Sequence, residues 1–167
     1  MNPELIIIAA LDDRGAIGLN GDMPWGRAIR GDLKYFRYHT MGCPVIMGRK
    51  TYESLPAAGL PGRSLIVLSR DEALTLPNAQ VVHTPEAALK LIEGKQTAFV
   101  IGGAEVYRLM LPWANKLYLT RIHHVWENAD TYFPPLSNEE WVCMQSEVHP
   151  IDEENSYPYS FSIWERL

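Results

Sequence analysis

Asp32 is the acid in this sequence best placed to do chemistry. It follows a glycine-rich stretch holding Gly15, Gly18, Gly21, Gly26 and Gly31. It opens a segment in which Leu33, Phe36 and Thr40 are spaced for one helical face. An acid at a helix start is stabilised by the free N–H groups there. Turned toward a cleft, the same carboxylate would accept the paired N–H donors of an amidine-like ligand. A second group is cationic: Gly48-Arg49-Lys50-Thr51 follows the apolar run Pro44-Val45-Ile46-Met47, and Ser69-Arg70 follows Leu65-Ile66-Val67-Leu68. Cations beyond the carboxyl ends of strands suit a phosphate, and here they favour the 2′-phosphate of NADP over the bare ribose of NAD, which wants an acid. Solvated loop charges are the competing reading. The third feature is Gly102-Gly103, between Ala98-Phe99-Val100-Ile101 and a helix that begins at Ala104. Glycines let backbone approach a pyrophosphate at a helix start, although a plain tight turn would have the same pattern.

Other chemistries are excluded by spacing. No two glycines stand one residue apart, so the Rossmann fingerprint is absent. The glycines that a P-loop would need at 44 and 49 are Pro44 and Arg49. His39, His83, His123, His124 and His149 lack metal-ligand spacing, and adjacent His123 and His124 on a strand would face opposite ways, so no metal is expected. There is no Gly-x-Ser-x-Gly elbow. Cys43 and Cys143 read as reduced thiols. Trp113, Trp126, Trp141 and Trp164 read as packing residues.

The elements that must carry these groups follow from the pattern. With 167 residues the chain is one domain, and 47% apolar with 21% charged residues is globular composition. A formal charge of −5 argues against a nucleic-acid binder. Leu5 to Leu11 is a continuous apolar run, hence a strand buried on both faces; it is too short to span a bilayer, and its flank lacks the positive start of a signal peptide. A cytoplasmic protein off the membrane is expected. Asp12 to Gly31 reads as a long functional loop. Helices are expected over 32–40, 51–55, 85–92 and 104–111. Strands are expected over 44–47, 65–68, 81–82, 98–101 and 116–123, with a C-terminal hairpin of 141–148 and 160–164 around Asp152-Glu153-Glu154-Asn155. The fold class is α/β: a central mixed, mostly parallel sheet flanked by helices on both faces, with a C-terminal antiparallel hairpin.

Together these residues resemble dihydrofolate reductase of the bacterial chromosomal type, over nearly the whole chain. The resemblance is carried by Ile8-Ala9-Ala10, Ile17-Gly18, Met23-Pro24-Trp25, Asp32 with Phe36, the run Pro44 to Thr51, Leu60-Pro61-Gly62-Arg63, Val100-Ile101-Gly102-Gly103 with Tyr107, Leu117-Tyr118-Leu119-Thr120, Asp130 to Pro134 and Phe161. It implies reduction of 7,8-dihydrofolate to 5,6,7,8-tetrahydrofolate with NADPH, hydride reaching C6 and a proton N5, in service of one-carbon metabolism. It also implies antifolate inhibitors as ligands, and a monomer is expected.

By this resemblance Asp32 holds the pteridine, backed by Thr120, while Ile8, Leu33, Phe36, Leu55, Leu60 and Ile101 form apolar walls and Arg63 pairs with the glutamate tail. Arg49, Lys50 and Arg70 surround the 2′-phosphate. Thr51 and Gly102-Gly103, whose peptide is cis in the family, hold the pyrophosphate. Ala10, Ile17 and Tyr107 line the nicotinamide pocket; Gly18, Gly48, Leu68, Ser69, Ala104, Glu105 and Val106 complete the cofactor site. Met23 and Trp25 belong to a lid and, with Asp32, Tyr107 and Thr120, form the catalytic set. The resemblance also implies an adenosine-binding subdomain over about 43–94, the rest being a loop subdomain.

The chain departs from the family pattern in three places. The stretch Gly26 to Gly31 is about two residues longer, which leaves the lid hinge and the placement of Asp32 open. Pro56-Ala57-Ala58-Gly59 lacks an Arg often found near the substrate tail. One residue is added within Asn128-Ala129. Two rivals are a pyrimidine reductase sharing the strand–Gly–Gly–helix site and a non-catalytic NADP sensor. Neither needs Met23-Pro24-Trp25 together with Asp32 and Phe36.

Overall fold

The structure is a computed structural model and describes residues 2–167. The apolar run near the start forms β1 (Glu4–Asp12), in which Leu5, Ile6, Ile7, Ile8 and Leu11 are buried. Four further strands lie where they were expected, β3 (Pro44–Gly48), β4 (Ser64–Leu68), β5 (Ala79–Val82) and β6 (Thr97–Gly102), with a helix between β3 and β4 and between β5 and β6 but none between β4 and β5. β1 runs parallel to β6, with Ile7 opposite Val100; β3 runs parallel to both β6 and β4, and β4 to β5. Strands buried on both faces read as uninterrupted apolar segments, which is why Val45, Ile46 and Met47 are fully buried. The late strands β7 (Lys116–Ile122), β9 (Trp141–His149) and β10 (Tyr159–Arg166) are joined antiparallel, β7 to β10 and β10 to β9. The order in the eight-stranded sheet is β5-β4-β3-β6-β1-β7-β10-β9.

The helices are α1 (Arg30–Thr40), α2 (Arg49–Glu53), α3 (Pro85–Leu91) and α4 (Ala104–Met110). Thr84 caps α3 as its sequence suggests: its hydroxyl accepts from the Ala87 N–H at 3.1 Å, with Pro85 in the first turn. Two details depart from expectation. Helix α2 starts at Arg49 and not at Thr51, because Gly48 enters it in extended conformation without a capping side chain to mark the start. The long stretch 12–31 contains a short strand, β2 (Ala16–Gly18), paired with β8 (Thr131–Tyr132). Strands of two or three residues carry too little periodicity to be read. Among the described residues no helix is long and apolar enough to cross a membrane.

The chain divides into two compact units, residues 1–7 with 40–114 and residues 8–39 with 115–167. In the second, Asp12 is fully buried at the end of β1. Its Oδ1 accepts from the N–H groups of Arg14 and Ala16, both at 2.8 Å, and its Oδ2 from Trp126 N–H at 3.0 Å. One carboxylate thus serves three backbone donors and ties the β1–β2 turn to the β7–β8 connection. Asp12→Ala strands these donors, so urea unfolding should show a loss of about 3 kcal/mol with an unchanged m-value; an unmoved midpoint would remove this role.

Candidate active site

In the unit formed by 8–39 and 115–167, α1 carries Asp32 in its first turn and Phe36 one turn later on the same face. Leu33 is 37% exposed beside them. Thr120, only 1% exposed on β7, hydrogen-bonds the Asp32 side chain. Asp32 keeps part of its surface open, yet the surrounding protein dehydrates its carboxyl and pushes the pKa up to about 6, the Thr120 bond opposing that rise. Tyr35 stacks on Phe161 with ring centroids 3.9 Å apart and meets His39 edge-on at 4.4 Å. Burial, aided by the charges of Asp32 and Glu147, pushes the Tyr35 phenol up to about 12. Ile8 on β1 is buried, while Ala10, Ile17 and Gly18 stay half-exposed.

Met23 and Trp25, which the resemblance assigns to a lid, lie in the same unit. Trp25 is buried with Ile29, Ile122 and Tyr159, with Met23 and Ala10 against the cluster, and its ring lies 5.5 Å from that of Trp126. Asp130 donates its N–H to the Gly18 carbonyl and accepts from Asn20 N–H at 2.9 Å, so the segment after the added residue is tied to the 18–20 stretch. The longer stretch 26–31 is absorbed without displacing Asp32 from Thr120. Ala28 N–H bonds back to the Trp25 carbonyl in a turn, and Ile29 then bridges to Asn155.

The unit formed by 1–7 and 40–114 carries a different chemistry. The Gly102–Gly103 peptide is cis, and Gly102 has φ +123°, where a Cβ would also press on the Tyr107 phenol at 3.2 Å. A Cβ on Gly48 would crowd Val106 at 3.1 Å, and one on Gly103 would lie 3.8 Å from the Thr51 hydroxyl. Gly48, Thr51, Gly102 and Gly103 therefore lie together, with Gly102 buried, Gly48 and Gly103 half-exposed, Ala104 following and Tyr107 buried against Gly102. Arg49, Lys50 and Arg70 are exposed. Arg49 lies 3.9 Å from Glu53 and Arg70 3.5 Å from Glu105, which also binds Arg108. The side chains of Leu68 and Val106 point into the core, so only their backbones are open to a ligand. The Ser69 carbonyl lies 2.8 Å from His83 Nδ1. Ile101 is half-buried on β6. Leu55, Leu60 and Arg63 line a cavity of about 430 Å³ with Tyr52 and Pro77; Arg63 donates to the Thr40 hydroxyl at 3.3 Å and to the Pro61 carbonyl at 3.1 Å.

The dehydrated acid with its hydroxyl partner can accept paired N–H donors, and the glycine backbone with nearby cations suits a phosphate. The sequence profile described as dihydrofolate reductase matches residues 4–166. The chain belongs to the dihydrofolate reductase family. It is 37% identical over 164 residues to dihydrofolate reductase of Staphylococcus haemolyticus, covering 98% of this chain and 96% of that one. With that of Bacillus subtilis (strain 168) it shares 38% over 159 residues, 95% and 92% of the two chains. Among solved structures it is similar to Enterococcus faecalis dihydrofolate reductase complexed with NADP(H) and RAB-propyl, with TM-score 0.89, 30% identity and coverage of 98% and 96%.

Three residues that shape this reductase site left no usable signal in the sequence. Asp12 looked like the end of a strand, Asn155 like a turn residue and Tyr159 like part of a hairpin; each acts through partners far along the chain.

Asp32 also marks the pH dependence of stability. A carboxyl whose folded pKa exceeds its unfolded value binds more protons when folded, so its contribution is complete below the unfolded pKa and is lost as pH rises through the folded one. With values of 3.8 and about 6, the window is pH 4–6. Asp32→Asn should therefore be more stable than the parent above pH 6, by about 1–3 kcal/mol in the ligand-free state. Urea unfolding from pH 4 to 8 should show this gap closing at the acid end; a gap independent of pH would contradict the dehydrated carboxyl.

Proposed function

We propose that this chain reduces 7,8-dihydrofolate to 5,6,7,8-tetrahydrofolate with NADPH, Asp32 binding the pterin through its 2-amino group and N3. The observation that carries this reading is the dehydrated Asp32 carboxyl with its Thr120 partner. A ligand offering two parallel N–H donors replaces the water that burial removed, and such charge-assisted pairs are strongest where water is excluded. Phe36 and Leu33, on the same helix, supply apolar surface for the rings, together with Ile8 of β1. Arg63, with Leu55 and Leu60, receives the aminobenzoyl-glutamate end, its planar guanidinium suited to a carboxylate.

The glycine backbone suits a dinucleotide: Gly48 and Gly102 have no room for a Cβ beside Val106 and Tyr107, so these positions present backbone only. Thr51, Gly102 and Gly103 hold that group, and Arg49, Lys50 and Arg70 the 2′-phosphate. NADPH, when bound, supplies the hydride that C6 of the pterin receives. Ala10, Ile17 and Tyr107 orient the nicotinamide, and Met23 and Trp25 limit water at the reacting atoms, with one water delivering the proton to N5. The adenosine end is assigned to the unit that contains 43–94. Antifolates bind where the pterin does. The protein acts as a monomer in the cytoplasm and binds no nucleic acid, in keeping with its charge of −5.

Asp32→Asn should retain NADPH binding while turnover falls by about 100-fold or more near neutral pH; normal steady-state turnover would refute the anchor. Arg49→Ala should weaken NADPH about tenfold but NADH less than about twofold, and equal losses in a binding titration would contradict the 2′-phosphate assignment.

A further inference from the structure

Helix α1 has no local cap. The residue before it is Ile29, whose side chain is buried against Trp25, Ile122 and Tyr159 and offers no acceptor to the first-turn N–H groups. The acceptor comes from the β9–β10 turn, 124 residues away: Asn155 Oδ1 accepts from Gly31 N–H at 2.8 Å. Asn155 is itself 5% exposed, and its Nδ2 donates to Asp152 Oδ1 at 2.8 Å. Asp152 Oδ1 also accepts from Glu154 N–H at 2.8 Å. A carboxylate can only accept, so the amide nitrogen must face Asp152 and the amide oxygen must face Gly31. Around this contact Arg30 N–H reaches the Glu154 carbonyl at 3.4 Å, Ser156 N–H the Ala28 carbonyl at 3.0 Å, and Lys34 pairs with Glu154 at 3.0 Å. Below it, Gly31 lies so close to Tyr159 that a Cβ would overlap the phenol oxygen. The backbone immediately before Asp32 is thus fixed by a buried amide on one side and a buried phenol on the other.

We propose that Asn155 is a positioning residue for the reduction: by holding Gly31 it sets where the Asp32 carboxyl meets Thr120 and the pterin. This rests on the reading of Asp32 as the pterin anchor. Two parallel hydrogen bonds to a ring tolerate little displacement of the acceptor pair, so loosening the first turn of α1 weakens both together. It also changes the hydration on which the Asp32 pKa depends. The charged and titratable groups around that turn are Arg30, Lys34 and Tyr35 on α1, Tyr118 on β7, Tyr159 on β10, Glu147 on β9 and the turn acids Asp152 and Glu154. Changing Asn155 alone replaces none of them, and of these Asp152 loses the amide that donates to it.

The test uses Asn155→Ala and the exchange Asp152→Asn with Asn155→Asp. In the exchange, the carboxylate at 155 accepts from Gly31 and the amide at 152 donates to it. Asn155→Ala should raise KM for dihydrofolate about tenfold and move the pH midpoint of kcat/KM, with Kd for NADPH within about twofold of the parent. The exchange should bring KM back to within about threefold of the parent. Asn155→Ser, which is compatible with the turn but too short to reach Gly31, takes the place of Asn155→Ala if that variant does not fold, and the same shifts are expected. A folded variant with unmoved KM and pH midpoint overturns the proposal, as does a parallel loss of NADPH and dihydrofolate affinity or an exchange no better than Asn155→Ala. Asp32→Asn measured alongside separates the two levels. Parent-like turnover there removes the anchor and this proposal with it; a collapse there with unmoved Asn155 variants removes only the positioning role.

Discussion

A carboxyl group that has lost most of its water is the constraint around which the second unit is arranged. Left alone, burial favours the protonated form of Asp32, and the Thr120 hydroxyl only partly restores the ionised one. A ligand with adjacent N–H donors in one plane would supply the missing stabilisation, which is the chemistry the proposed pterin site calls for. Specificity of this kind is steep, because a ring lacking those donors leaves the acid unpaired in a dry place. The stack of Tyr35 on Phe161 and the buried core around Trp25 serve the same end, keeping solvent from repairing the deficit.

The other unit solves the opposite problem. Phosphates are strongly hydrated and highly charged, and the proposed phosphate site is correspondingly open: Gly48 and Gly103 are half-exposed and Arg49, Lys50 and Arg70 remain in water. Arg70 and Arg49 rest against Glu105 and Glu53, yet these pairs are exposed and long. Exposed ion pairs contribute little, so a phosphate can take either guanidinium without a large opposing cost. Glu105 keeps Arg108 as a partner when Arg70 turns away.

The sequence exposed what is local. Leu5 to Leu11 announced a doubly buried strand, Thr84-Pro85-Glu86 a helix start, and Asp32 with Leu33 and Phe36 a helix face with a carboxylate at its head. It also marked Gly102-Gly103 as a tight strand-to-helix connection, while the steric reason for the glycine, the Tyr107 phenol against Gly102, is visible only in the fold. What it hid depends on partners distant in the chain. β2 and β8 exist because each completes the other, and neither has a pattern of its own. Asp12 is indistinguishable from Asp13 until the Trp126 N–H arrives from the other end of the unit. The start of α2 at Arg49 was hidden because Gly48 leaves no side-chain mark.

The longer stretch before Asp32 shows why such hidden contacts gather at the site. Position 29 cannot both bury an isoleucine among Trp25, Ile122 and Tyr159 and present an acceptor to the helix start. Burying the apolar side chain anchors the end of the lid; the acceptor then has to come from elsewhere, and the β9–β10 turn provides it through Asn155. The lid end, the first turn of α1 and the hairpin turn thereby share one set of bonds. The turn after Trp25 and the bridge at Ile29 carry the chain through this longer stretch into α1, where Asp32 meets Thr120.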